Sequence, residues 1–177
     1  MNNPVTSQGL PVAKDSRLEY FWTKVREFGK KYKKFNWPSV EVLLNLIHTY
    51  DALMDHFSKW MSAYGLSPAV FNVLMILSRS SGKKLKQHEI SKLLLVSRAN
   101  VTGLVNTLVR KGLAEREPDE KDRRAWRITI TEKGKTLLET YLPHHYAEVS
   151  RVFSGFSQAE KKELNRLIFK FKQGVAK

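Results

Sequence analysis

From Leu85 to Thr131 the spacing of apolar positions changes period. Ile90, Leu93 and Leu94 recur at helical steps within Lys86 to Leu94. After Leu95 and Val96, the residues Val101, Leu104, Val105 and Leu108 do so again. Steps of three and four put each set on one face of a helix. From Arg124 the period falls to two: Trp126, Ile128 and Ile130 alternate with Ala125, Arg127 and Thr129, as in a half-buried strand. Leu113 to Glu117 supplies a returning strand, and Pro118 with Asp119-Glu120-Lys121-Asp122 supplies turn chemistry. The pattern predicts helix, tight turn, helix and β-hairpin.

Two short helices joined so closely cross steeply, which is the helix-turn-helix arrangement; the hairpin is then its wing. Ser97 is placed to cap the second helix, and Gly112 to end it in a left-handed conformation. Its polar face carries Arg98, Asn100, Gly103, Asn106 and Arg110. Arginine pairs with guanine and asparagine with adenine through two parallel hydrogen bonds, so Arg98, Asn100 and Asn106 are candidate major-groove readers. Ser97, Thr102 and Lys92 are candidate phosphate contacts, which position without specifying sequence. The hairpin tip carries Lys121, Arg123 and Arg124; an arginine there suits a narrow minor groove. Asp122 is placed to hold the Arg124 guanidinium. The plainer alternatives are an ordinary polar surface helix and a solvated charged turn.

Before this stretch, Asp15 or Ser16 opens an expected helix to about Lys34, with Leu18, Phe21, Trp22, Val25 and Phe28 as its stripe and a lysine-rich end. It reads as an extra helix packed on a dimer with its basic end near DNA, as a phosphate-contacting arm, or as a membrane-surface helix, the first being favoured. Pro38 breaks it. Ser39 caps a long helix to Tyr64, whose Leu43, Ile47, Tyr50, Met54, Phe57, Met61 and Tyr64 form a heptad-like seam. Ser67-Pro68 starts a core helix with Phe71, Leu74, Met75 and Leu77. After the wing, Thr131 caps a helix that Pro143 should kink. A capping box at Ser157 to Glu160 opens a last helix with Leu164, Leu167, Ile168 and Phe171 inward.

The fold class is mostly α with a small β-hairpin wing: a winged helix-turn-helix lobe plus a helical dimerisation lobe. Residues 1–38 form an N-terminal extension, 39–65 and 135–177 the dimerisation region, and 66–134 the DNA-binding lobe.

Charge sharpens this picture. The 177 residues carry a formal net charge of +14, which favours a polyanionic partner. Residues 39–78 hold Glu41, Asp51 and Asp55 against Lys59, so the excess lies elsewhere in the chain. There is no cysteine, hence no disulfide or thiolate chemistry. No secretory signal or membrane-length apolar run is visible, so a cytoplasmic location without membrane contact is expected.

Leu108-Val109-Arg110-Lys111-Gly112-Leu113, then Asp122-Arg123-Arg124, then Ile128-Thr129-Ile130-Thr131-Glu132-Lys133-Gly134 resembles the signature of the MarR family of transcriptional regulators. The likeness spans roughly residues 39 to 175. It implies a homodimeric winged-helix protein on double-stranded DNA, often released from its operator by a small ligand. Lys86 stands where the family usually has a capping serine or threonine, and Gly103 where it often has a larger polar residue. The family's effector position implies a pocket from Trp60, Tyr64, Phe71 and Met75, with His48 or Asn72 as polar anchors; for the aromatics, simple core packing is the better reading.

His48, Asp51 and Asp55 share a helix face, but surface polar residues are the simpler reading than a metal site, and no metal is expected. No phosphate loop or catalytic constellation is present, so no enzyme and no cofactor is expected beyond a small aromatic effector. The sequence reads as a specific, ligand-responsive, homodimeric regulator, a repressor rather than an activator. The alternative is an architectural protein that binds DNA without sequence choice.

Overall fold

The computed structural model describes residues 20–80, 82–94, 101–119, 122 and 125–175. The chain divides into two compact units, Met1–Pro68 and Ala69–Lys177.

In the first unit, α1 begins as a π-wound turn, Phe21–Val25, and continues as Arg26–Gly29. It stops earlier than the expected Lys34. Gly29 lies directly against the Phe35 ring, where a Cβ would come within 2.1 Å of a ring carbon. The chain therefore turns back at Gly29, carrying Lys30 to Lys34 out of the helix. The helix α2 follows as Trp37–Ser62. Its cap is Asn36, not Ser39: the Asn36 Oδ1 accepts from the Ser39 backbone N–H at 3.0 Å and from the Ser39 hydroxyl at 2.7 Å. Pro38 thus belongs to the first turn of α2, where its missing N–H costs nothing. Of the expected seam, Met61 is buried, whereas Leu43, Ile47 and Tyr50 are exposed on this chain. Gly65, at φ 67°, ends the segment and lets the Leu66 N–H return to the Met61 carbonyl at 3.1 Å.

The second unit runs α3 (Pro68–Ser78), β1 (Leu85–Lys86), α4 (Gln87–Leu93), α5 (Val101–Arg110), β2 (Ala114–Pro118), β3 (Trp126–Ile130), α6 (Glu132–Val152) and α7 (Gln158–Val175). Val73, Leu74, Leu77, Ile90, Val105, Leu108, Ile128 and Tyr141 are buried almost completely and form its core. The sheet has three antiparallel strands in the order β1-β3-β2, not the two expected. Leu85 and Lys86 pair with Ile128 and Arg127, so α4 starts one residue later than its apolar period suggested. The Glu89 carboxylate accepts from the Lys86 N–H at 2.7 Å and supplies the N-terminal cap.

The helix α5 ends as expected. Gly112 is left-handed at φ 70°, and the Leu113 N–H reaches the Leu108 carbonyl at 2.9 Å. That bond removes Leu113 from the strand, so β2 spans Ala114–Pro118. As an edge strand it tolerates Pro118. Thr131 caps α6 by accepting from the Gly134 N–H at 3.1 Å. The helix runs through Pro143 without interruption. At α7, the reciprocal Ser157–Glu160 box forms, at 2.8 and 3.2 Å. The face of α7 expected to point inward does not: Leu167, Ile168 and Phe171 are exposed. Among the described residues of a single copy, none covers them. No helix among the described residues is long and apolar enough to cross a membrane.

Candidate nucleic-acid interface

One side of α5 is spent on the core through Val101, Val105 and Leu108. The other presents Thr102, Asn106 and Arg110, at four-residue steps and exposed. Helical spacing alone keeps these three in line along the outward face. Thr102 Oγ1 lies 3.5 Å from Gln87 Oε1 at the start of α4, a contact at the limit of hydrogen-bond reach. Lys92 is exposed near the end of α4. Ser97, Arg98, Asn100, Arg123 and Arg124 lie outside the described residues.

The strands bring a cation to α5. Arg116 on β2 donates from Nη1 to Asn106 Oδ1 at 3.0 Å. Its guanidinium is 5.2 Å from the centroid of the Trp126 ring. The register sets Arg116 opposite Ile128 and Trp126 opposite Pro118, so the two side chains meet diagonally across the strand pair. Trp126 was expected on the apolar face of β3, but it is 43% exposed. A stacked guanidinium gives that exposed indole its partner.

The base of the wing is closed by a carboxylate that the sequence offered only as a turn former. Asp119 has no side-chain exposure. Its Oδ1 accepts from the Asp122 N–H at 2.9 Å and lies 3.3 Å from the Lys86 ammonium. Its Oδ2 accepts from Arg127 Nε. Its backbone N–H donates to the Ala125 carbonyl at 2.9 Å, and the Ala125 N–H to the Asp122 carbonyl at 2.8 Å. A buried charge persists only when paired and hydrogen-bonded, and here both conditions hold. Lys86 thus fills the capping position of α4 while its side chain serves the wing. Lys84 adds a second tie, 2.5 Å from Glu117. Asp122, expected to hold Arg124, is exposed, and its main chain is organised by Asp119.

The expected effector residues separate into two places. Phe71, Asn72 and Met75 line a cleft of about 800 Å³ in the second unit, together with Arg79, Lys83, His145 and Tyr146. The Phe71 ring stands edge-on to Tyr141, with centroids 5.2 Å apart, and tilted against His145 at 5.1 Å. Tyr141 Oη and His145 Nδ1 are 3.2 Å apart. Burial holds the His145 pKa below its ordinary 6.5, so the ring is neutral at pH 7 and the cleft's cations are Arg79 and Lys83. Trp60 and Tyr64 border a separate hollow of about 470 Å³ in the first unit, and His48 lines neither. On α2, Asp55 pairs with Lys59 at 2.7 Å.

A model of the MarR family matches residues 64–125. The transcriptional repressor YetL of Bacillus subtilis is 30% identical over 137 residues, covering 77% of this chain and 82% of the relative. Sco3205 of Streptomyces coelicolor, a MarR family regulator solved in complex with DNA, superposes with a TM-score of 0.72 at 21% identity, over 81% of this chain and 91% of the other. BpsR of Bordetella bronchiseptica, whose DNA binding is regulated by 6-hydroxynicotinic acid, superposes at 0.65 with 24% identity, over 75% and 98%.

Proposed function

The chain belongs to the MarR family and is a DNA-binding transcriptional regulator, and from that premise we propose that it acts as a sequence-specific, ligand-released homodimeric repressor in the cytoplasm. One observation carries this: the exposed Thr102–Asn106–Arg110 face of α5 is joined to the wing by the Arg116–Asn106 hydrogen bond. A groove-sized helix and a hairpin fixed side by side suit adjacent grooves of a duplex. Thr102 and Lys92 take phosphates in this reading, with Ser97; Asn106 reads bases with Arg98 and Asn100. At the wing tip, Arg124 enters the minor groove and Arg123 is a further DNA contact. YetL, by name a repressor, supports repression.

Pairing is supported by exposed apolar residues on two helices: Val42, Leu43, Ile47 and Tyr50 on α2, and Leu167, Ile168, Phe169 and Phe171 on α7. A second copy covering both would give the dimerisation region proposed at 39–65 and 135–177. Release by ligand is supported by the cleft of Phe71, Asn72 and Met75, whose aromatic walls and two cations, Arg79 and Lys83, suit a small aromatic anion.

The test is selection of bound fragments from random duplex DNA, with the mass of the complex measured. A palindromic site with half-sites about one helical turn apart, bound by two copies, is expected. Fragments without a common sequence would leave the architectural alternative.

A further inference from the structure

We propose that the lysine turn after α1 is a second duplex-DNA surface, which grips phosphates and adds affinity without sequence choice. The proposal rests on the DNA-binding reading above but concerns residues outside the stretch that resembles the family.

This turn is built on its own small core. Trp22 is 4% exposed, and its indole N–H donates to the buried Glu41 carboxylate at 3.3 Å. The Trp22 and Trp37 rings meet edge to face at 6.0 Å, with Phe35 6.4 Å from Trp37. Arg26 stands 5.4 Å from the Trp37 centroid. Gly29 admits Phe35 because it has no Cβ. Two backbone bonds then fix the turn: the Tyr32 N–H to the Gly29 carbonyl at 2.9 Å, and the Phe35 N–H to the Tyr32 carbonyl at 3.0 Å.

What this scaffold displays is charge. Lys30, Lys31, Lys33 and Lys34 are all exposed. Between Tyr20 and Val40 the one acidic residue is Glu27, and it lies 3.7 Å from Lys24. The next carboxylate, Glu41, is engaged by Trp22. Four ammonium groups held together on a fixed turn repel one another, and a polyanion relieves that repulsion while releasing its own counterions. Lysine acts as a point charge, which fits phosphate rather than base edges.

A bilayer suits the element less well. Its apolar stripe is partly used internally, because Trp22 is turned into the core. The exposed Phe28 ring carries the Lys31 ammonium 4.4 Å from its centroid. Of the exposed aromatics here, Tyr20, Phe28 and Tyr32, two carry a polar hydroxyl and the third lies beside a cation, so none is a wholly apolar anchor for acyl chains.

The experiment uses the full chain and a variant with Lys30→Gln, Lys31→Gln, Lys33→Gln and Lys34→Gln. Binding to an unrelated duplex is followed from about 50 to about 200 mM salt. The slope of log affinity against log salt should become shallower by about 2 to 3. Preference for the selected operator should not change, and the corresponding Lys→Arg variant should keep the wild-type slope. An unchanged slope in the Gln variant overturns the proposal. So does loss of binding to phosphatidylserine vesicles with an unaltered DNA slope. If the wild-type chain itself binds no duplex, the DNA reading falls as well. If it binds its operator and only the slope comparison fails, this inference alone is wrong.

Discussion

Arg116 holds Asn106: the guanidinium Nη1 donates to the amide Oδ1 at 3.0 Å while stacked on Trp126. An amide that reads adenine uses its oxygen as acceptor and its nitrogen as donor together. Fixing the oxygen fixes which way the nitrogen points, so a strand residue controls the orientation of a helix residue. Arg116→Ala should therefore blur preference at one base position per half-site, by about 1–3 kcal/mol. Stability should stay within about 0.5 kcal/mol, because the site is exposed. Binding to a panel of operator variants checks this. A uniform loss across all sequences would mean that Arg116 merely touches phosphate.

Asp119 carries the wing. Removing a buried carboxylate strands its two cations, and that costs about 3–5 kcal/mol when both remain buried. Here Lys86 and Arg127 keep 26% and 36% side-chain exposure, so water can receive them. Asp119→Ala should cost less, about 2–4 kcal/mol, in urea unfolding. Operator affinity should fall further than stability explains, since the Asp122 N–H also loses its acceptor. Wild-type affinity in a folded Asp119→Ala chain would show that the wing base does not organise the tip.

Gly134 lies in the first turn of α6, where alanine would normally gain about 1 kcal/mol of helix propensity. A Cβ there would sit 2.3 Å from the Leu113 carbonyl oxygen and 2.8 Å from Ile130 Cγ1. The obstacle is backbone, which cannot swing aside. Overpacking of this kind costs about 1–3 kcal/mol and outweighs the propensity. Gly134→Ala should lower the unfolding midpoint, as thermal melts will show; a raised midpoint would contradict the close approach of α6 to the Leu113 backbone.

Burial lowers the His145 pKa. Between that lowered value and 6.5 the unfolded chain binds more protons than the folded one, so stability rises with pH across the window. It should be lost progressively as pH falls below about 6.5. Urea midpoints measured through this range should show the loss in the wild type and less of it in His145→Gln. Parallel curves would show that His145 does not titrate differently on folding.

Much of the second unit was legible because local signals and burial agree there. The period of Val101, Val105 and Leu108, the Gly112 stop and the Thr131 and Ser157 caps each depend on a few neighbouring residues. What escaped depends on partners distant in sequence. Asp119 reads as a turn residue until Lys86 and Arg127 converge on it. Trp126 reads as core until Arg116 crosses the strand pair to cover it. The strand Leu85–Lys86 is too short to show a period, and it exists only because β3 pairs with it. Leu167, Ile168 and Phe171 are apolar at helical spacing, which says that a face will be covered but not whether by the same chain. Among the effector candidates, Phe71, Asn72 and Met75 lie close in sequence on one helix and meet in one cleft, while Trp60 and Tyr64 line another hollow.

The central claim, that α5 and the wing choose among DNA sequences, is tested most directly by competition. The protein is bound to its selected duplex and challenged with unrelated DNA at physiological salt. The account predicts that displacement needs roughly a thousandfold excess or more. Equal displacement by unrelated and selected duplexes would contradict it.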